Sequence, residues 1–407
     1  MNQFPDSTQP HFLNQLNVLL QMGYFLRIIS LKELPSQKEL SEYSRLEEQS
    51  FSLKLTKRHV PQAFLTLLLL GMIAPFKSFK AFGAMLKMLF RFKDRKQVIK
   101  NYLQAGILIN HYVIDKEISH LHAHCEPNAA RTTYLASLLT GLNSSYLTLP
   151  GEMFKPDFQL LKPILVHSVC IFTFSQYEEN ILIEKTFEDI ELLPEIFHFL
   201  NGIDLEKFEF RRVLRIPRKP YQLLTATCLT ESKGIDIIIH AMRELKDKGL
   251  KFKYRIIGDG PALAKLEKLA RSLKLEKEVV FYGILPHYEM PRLLSTSDLY
   301  VLAPRVRENG EQDSLSLGIR EAMASGVPVA ATDSDVMREL LESEETGLLV
   351  PADDPTAFAS ACQRLLSDSD LRSQIILKAR LKIEGSYDIH KQAQAFNDYI
   401  ASHNLPL

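Results

Sequence analysis

Cysteine is scarce, charge is balanced, and no apolar run is long enough to read as a bilayer span. Four cysteines, Cys125, Cys170, Cys228 and Cys362, stand far apart in 407 residues and form no CxxC pair. That excludes a disulfide framework and a zinc ribbon, and it fits a reducing cytoplasm. Forty-nine basic residues meet 49 acidic ones, so no global field directs the chain to nucleic acid. No internal repeat or low-complexity tract is visible. The opening Met1-Asn-Gln-Phe-Pro-Asp6 has none of the features of a secretory signal peptide. His122 and His124 have no acid or cysteine at ligand spacing except the adjacent Cys125, so no metal site is expected.

What is present is α/β alternation, in a length that suggests two domains. Phe12, Leu16, Leu19 and Leu20 recur at helical spacing, Gly23 stops that helix, and Phe25–Ser30 reads as a buried strand. Ile118–His124 reads as a strand running into a loop that holds His122 and His124, Asn128–Leu139 as a helix, Ser145–Leu149 as a short strand and Ile164–Phe174 as another. Ser175 caps the helix that follows. Leu200-Asn-Gly-Ile-Asp204 is a turn and marks the domain boundary. Beyond it the pattern is cleaner, with strands expected at Leu223–Cys228, Tyr254–Gly258, Val279–Tyr282, Ser297–Ala303 and Val327–Thr332. Helices fall between them, at Gly234–Lys246 and from Pro261 to Leu273. Such alternation means a doubly wound parallel sheet, whose ligands bind beyond the carboxyl ends of the strands. A last helix is expected over Tyr387–Ser402.

One segment does not fit the alternation. Val60–Pro75 is almost wholly apolar, and residues 54–100 carry eleven lysines and arginines against a single acid, Asp94. Phe76, Phe79, Phe82, Leu86, Leu89 and Phe90 interleave with the cations at roughly helical spacing. Two readings stand. The segment lies on an anionic membrane surface, or it is a pair of core helices with a solvated basic face.

Chemistry concentrates in Asp313-Ser-Leu-Ser-Leu-Gly-Ile-Arg-Glu321. Asp313 and Ser314 are expected in a loop, with Ser316–Ala324 helical. Both carboxylates then sit near a helix start, where unpaired N–H groups and the positive dipole end favour a diphosphate. Carboxylates suit sugar and ribose hydroxyls. The plain alternative is an acidic helix start before a buried strand. Lys233, Gly258 and Asp313 all follow strands, so one crevice can hold them.

The residues so far collected resemble a known family, the retaining glycosyltransferases of family 4 with the GT-B fold. The resemblance rests on six pieces in order. These are Glu231-Ser-Lys233-Gly234, Ile256-Ile-Gly258-Asp-Gly260-Pro261, Phe281-Tyr-Gly283-Ile-Leu-Pro286, Ser297–Pro304, Glu321–Val329 and Glu345-Thr-Gly347–Pro351. Fainter matches, at Phe4-Pro5, His122-Ala-His124, Asn201–Asp204 and Ser386–Lys391, point to the exopolysaccharide branch and extend the likeness over nearly the whole chain.

The resemblance implies two Rossmann-like domains facing a cleft. Residues 1–203 would be the acceptor-side domain, with 54–100 as a basic apolar insertion and without its first strand. Residues 204–383 would bind the nucleotide sugar, and 384–407 would form a helix crossing back. It implies transfer of a hexose from a nucleoside diphosphate sugar to a lipid-linked or polysaccharide acceptor, with retention and no separate cofactor. Glu321 would take the ribose, Asp313 the donor sugar and Lys233 the diphosphate, with Ser314, Leu315 and Gly258 beside them. Backbone at Gly283, Ile284 and Leu285 would meet the base. The expected place is cytoplasmic, on the inner face of the cell membrane. The donor site departs from the family pattern at four places. Cys228 stands where an arginine is usual, and Tyr146–Met153 holds no histidine. Ser314-Leu315 replaces Gly-Ile, and Asp335-Val336 replaces two glycines. A non-catalytic homologue acting as a binding or assembly subunit is the alternative.

Overall fold

The computed structural model describes residues 10–24, 26–31, 50–52, 55, 59–113, 118–124, 126–148, 150–188, 193–198, 202–210, 217–312 and 316–402. The chain divides into two units, Met1–Phe199 with Ala393–Leu407, and Leu200–Gln392.

In the first unit, α1 (Pro10–Gln21) stops at Gly23, whose φ of 94° is left-handed and suits glycine. β1 (Ile28–Ser30) covers the end of the expected Phe25–Ser30 strand; Phe25 lies outside the described residues. It pairs in parallel with β2 (Ser50–Ser52). The residues before Pro10 also lie outside them, so the expected lack of a first strand is not addressed. Three helices follow: α2 (His59–Ile73), α3 (Pro75–Arg91) and α4 (Arg95–Leu108). Pro75 opens α3, where its missing N–H is harmless. Asp94, the one acid of the segment, accepts a hydrogen bond from the Gln97 amide at 3.1 Å and so caps α4.

Next comes a four-stranded parallel sheet in the order β3–β4–β5–β6. Its strands are β3 (His120–His124), β4 (Asn143–Leu147), β5 (Cys170–Thr173) and β6 (Glu195–His198). Helix α5 (Pro127–Thr140) joins β3 to β4 and ends on left-handed Gly141. β4 begins two residues before the expected Ser145.

The expected strand Ile164–Phe174 is two elements, α6 (Lys162–His167) and β5. An unbroken apolar run has no period, so periodicity could not separate them. Pro163 supplies a helix start, Ile164 and Leu165 bury together, and extended Ser168 breaks the helix before the wholly buried β5. Ser175 caps α7 (Gln176–Leu182) as expected, accepting from the Glu178 amide at 3.1 Å. Phe172 of β5 packs against Phe396 and Tyr399, with ring centroids 5.7 and 6.5 Å away. Those two residues lie on α15 (Ile389–Ser402), the last helix, numbered after the elements of the second unit.

The second unit is a six-stranded, all-parallel sheet in the order β12–β11–β10–β7–β8–β9. Its elements in chain order begin with β7 (Tyr221–Ala226), α8 (Ile235–Asp247), β8 (Phe252–Ile257), α9 (Leu263–Ser272) and β9 (Val279–Phe281). Then follow α10 (Met290–Ser295), β10 (Leu299–Leu302), α11 (Leu317–Ala324) and β11 (Val329–Thr332). The set closes with α12 (Asp335–Leu340), β12 (Leu348–Val350), α13 (Pro355–Ser367) and α14 (Ser369–Ser386). Each expected strand of this half is present. The strand order reverses between β7 and β10. At such a switch point the loops leaving the two strands part in opposite directions and open a crevice at the carboxyl edge.

Candidate functional site

The turns at this edge are fixed by glycine contacts. Gly234 follows the short turn Glu231–Lys233 after β7, with φ 61°. A Cβ there would stand 1.8 Å from the Ala303 carbonyl oxygen, just past β10. Gly258, past β8 with φ 129°, would put a Cβ 1.9 Å from the Thr227 oxygen. Only glycine lets these loops touch. The Gly258 amide donates to the Gly283 carbonyl at 2.8 Å, which ties in the turn after β9. The Gly260 amide donates to Asp259 Oδ1 at 2.7 Å. Lys233, Gly258, Gly283, Ile284 and Leu285 therefore occupy one edge of one sheet. Ile284 is 78% exposed beyond Gly283, which has φ 71°.

Arg305 holds the Lys233 turn in place. Its Nη1 and Nη2 each donate to Asp236 at 2.8 Å, Nη1 also to the Glu231 carbonyl at 2.9 Å, and Nε to Asp353 at 2.8 Å. Its backbone N–H meets Ser232 O at 2.8 Å. The hydrogen bonds it donates to Asp236, working against burial, raise the guanidinium above its ordinary range. A planar fork between two carboxylates is a rigid fastening that an ammonium cannot copy. Cys228, close by, carries an exposed free thiol.

The expected helix at Ser316–Ala324 is α11, with Ser316 as its cap. Its first turn is set by Tyr300. The Tyr300 hydroxyl donates to the Ala226 carbonyl at 3.0 Å and accepts from the Ala226 amide at 3.2 Å, and burial raises its pKa. A Cβ on Gly318 would lie 2.1 Å from that oxygen, so Gly318 lets α11 approach the junction of β7 and β10.

Glu321 is consequently 2% exposed. His287 Nε2 donates to Glu321 Oε1 at 2.6 Å, from the turn that follows Gly283–Leu285. Burying a carboxylate is costly unless it is hydrogen-bonded, and the imidazole meets that need while leaving further acceptor capacity. Asp313, Ser314 and Leu315 lie outside the described residues. Gln312, immediately before them, is buried. It donates to Asp335 Oδ2 at 2.9 Å and accepts from the Val336 amide at 3.2 Å, which ties Gln312 to the start of α12.

The first unit holds a second polar group. His120 Nε2 and His122 Nδ1 lie 2.7 and 2.9 Å from the single hydroxyl of Ser145. A hydroxyl has one proton, so one imidazole accepts it and the other donates. Burial lowers the His120 pKa to about 4. His122 and His124 belong to strand β3 itself, with His124 buried, rather than to a loop. Among the described residues no group of three or more His, Cys, Asp or Glu could hold a metal ion.

With this geometry in view, comparison with known proteins is direct. Residues 206–382 match the family model described as glycosyl transferases group 1. That segment is similar to group 1 glycosyl transferase domains. It contains the Lys233 turn, the glycine turns and Glu321. Among curated proteins, the putative colanic acid biosynthesis glycosyltransferase WcaL of Escherichia coli (strain K12) is 33% identical over 205 residues, 49% of this chain and 48% of its own length. The amylovoran biosynthesis glycosyltransferase AmsK of Erwinia amylovora is 32% identical over 189 residues, 46% of each chain. The chain spans about half the length of the curated relatives it matches. Among solved structures, Anabaena HepE in complex with UDP and glucose superposes with a TM-score of 0.68 at 15% identity, covering 98% of this chain and 96% of that one. A glycosyltransferase from Rickettsia africae ESF-5 gives 0.70 at 15% identity, covering 98% and 95%. The two-unit α/β fold with parallel sheets is that of these GT-B structures.

Sequence reasoning named Glu321, Lys233 and the glycine turns but missed His287, Arg305 and Gln312. His287 and Arg305 each directly follow a proline that ends a matched piece, Pro286 and Pro304. That position is the one signal that singles them out.

Proposed function

We propose that this chain is a retaining glycosyltransferase of exopolysaccharide biosynthesis. It moves a hexose from a nucleoside diphosphate sugar to a saccharide or lipid-linked acceptor. The observation that carries this reading is Glu321, a buried carboxylate held by His287 on the same sheet edge as the Lys233 turn. Glu321 accepts the ribose hydroxyls. Lys233 faces the diphosphate, and Gly283, Ile284 and Leu285 meet the base. Asp313 takes the donor sugar, with Ser314 and Leu315 beside it. Gly258 shapes the turn rather than donating its amide, which Gly283 already occupies.

In the reaction the bond between the anomeric carbon and the diphosphate oxygen breaks, and the acceptor oxygen bonds to that carbon on the same face. The acceptor proton leaves with the nucleoside diphosphate. Charge grows on the departing oxygen, and a fixed cation there lowers the barrier. Lys233 supplies it, since Arg305 is already committed to Asp236 and Asp353. The reading as a non-catalytic subunit is not favoured, because the matched relatives carry glycosyltransferase names.

The test is calorimetric titration with UDP, GDP and ADP, alongside release of nucleoside diphosphate from their sugar conjugates. Saturable binding of one of the three, with turnover lost in Glu321→Ala, is expected. No binding at millimolar nucleotide would overturn the proposal.

A further inference from the structure

Among the described residues, the apolar, basic segment after β2 leaves one side of its helices exposed. On α2, Ala63 and Thr66 are buried, whereas Phe64, Leu65, Leu68, Leu69, Met72 and Ile73 are all exposed. Spacings of four and one place these six on a single stripe. On α3, Ala81, Met85 and Met88 face the core, and Phe76, Phe79, Leu86 and Phe90 point away from it. The two stripes meet at the corner between the helices, where Met72, Ile73 and Phe76 are 75%, 79% and 82% exposed. Phe90 is 86% exposed. Soluble surfaces rarely carry a continuous apolar patch of this kind without a partner.

Charge decides which partner. At 100° per residue, Lys80, Lys87 and Arg91 run along one edge of the α3 stripe, and all three are exposed. Lys93, Arg95 and Lys96 continue the exposed cationic rim past the end of α3. Asp94, the one acid between residues 54 and 100, caps α4. A second copy of the chain would bring like charges together around the apolar contact, which is unfavourable. An anionic lipid surface answers both features, because acyl chains take the aromatic stripe and headgroups take the rim. No helix among the described residues is long and apolar enough to cross a membrane.

We infer that α2 and α3 dock the chain on an anionic bilayer, lying in the interface with Met72, Ile73, Phe76, Phe79 and Phe90 inserted and Lys80, Lys87 and Arg91 at headgroup level. The inference is independent of the proposed transfer activity.

Sedimentation of the full chain with vesicles tests it. Phosphatidylcholine vesicles are compared with vesicles that also contain phosphatidylglycerol. Binding is expected to the second set and to fall steeply as salt rises. Replacing Lys80, Lys87 and Arg91 together by Gln removes about 1 kcal/mol of attraction per charge, so affinity should drop roughly a hundredfold. F76S/F79S/F90S should abolish binding. These side chains touch little of the core, so circular dichroism should stay unchanged and nucleotide titration of the second unit should be unaffected. Equal binding to both vesicle types, or to neither, overturns the inference. So does a concentration-dependent dimer that the Phe→Ser changes disperse while vesicle binding is absent, since the occupant would then be a second copy.

Discussion

His287 Nε2 donates to Glu321 Oε1 across 2.6 Å, joining two residues 34 positions apart. The carboxylate is almost wholly buried, and the imidazole is 27% exposed. Glu321 is therefore held in one orientation by the imidazole. An unheld glutamate would sample several rotamers and lose that freedom on binding.

The pair makes a graded prediction. A hydrogen bond to a charged group contributes about 1.5–3 kcal/mol, so Glu321→Ala should weaken nucleoside diphosphate binding roughly tenfold to a hundredfold. His287→Gln keeps a donor and should change binding little, whereas His287→Leu should raise the donor KM several-fold and spare kcat. Steady-state kinetics with varied nucleotide sugar would decide. Equal losses in Gln and Leu variants would mean that His287 does not act by donating to Glu321.

Gly318 and Tyr300 should be energetically coupled. Gly318→Ala drives a methyl to 2.1 Å from the Tyr300 hydroxyl, an overpacking expected to destabilise by about 1–3 kcal/mol. In a G318A/Y300F double variant the contact with the hydroxyl is gone, leaving the ring carbon Cζ at 2.9 Å, and part of that loss should return. Urea unfolding of the four proteins gives the coupling energy. Strict additivity would show that the helix start moves freely.

Stability of the first unit should depend on pH through His120. Burial keeps its folded pKa near 4 against an ordinary 6.5. Between those values the unfolded chain binds a proton that the folded chain does not. Stability is thus full above about 6.5, falls as pH drops toward 4, and levels off below. One proton gives a slope of about 1.4 kcal/mol per pH unit. The urea midpoint followed by circular dichroism should fall from pH 7 to pH 5, and less so in His120→Gln. An identical slope in that variant would exclude His120 as the source.

The Lys233 turn should separate chemistry from positioning. On the proposed mechanism, Lys233→Ala removes the cation at the leaving group and should lower kcat by about a hundredfold or more. Arg305→Lys keeps charge but loses the fork onto Asp236 and Asp353, so it should raise the donor KM and slow turnover moderately. Progress curves at saturating donor distinguish the two. If Arg305→Lys matches Lys233→Ala in kcat, Arg305 itself meets the phosphates.

The second unit was largely legible before any coordinates. Its strands are short apolar runs punctuated by Lys233-Gly234, Gly258-Asp-Gly260 and Gly283, and each signal is local. The first unit was less so. Ile164–Phe174 has no polar interruption to separate helix from strand, and only burial on different neighbours divides it. Residues 54–100 allowed two readings, because amphipathic spacing is the same whether the apolar side faces a core or solvent.

What the sequence by itself determined is the order of elements in the second unit, its parallel sheet and the turns that need glycine, since all follow from period and backbone freedom over a few residues. What only the tertiary structure decided is proximity. His287 reaches Glu321, Arg305 bridges Asp236 and Asp353, and Ser145 lies between His120 and His122. One apolar side of α2 and α3 is left exposed among the described residues. Each of these depends on which elements the sheet brings side by side, and no spacing along the chain encodes that.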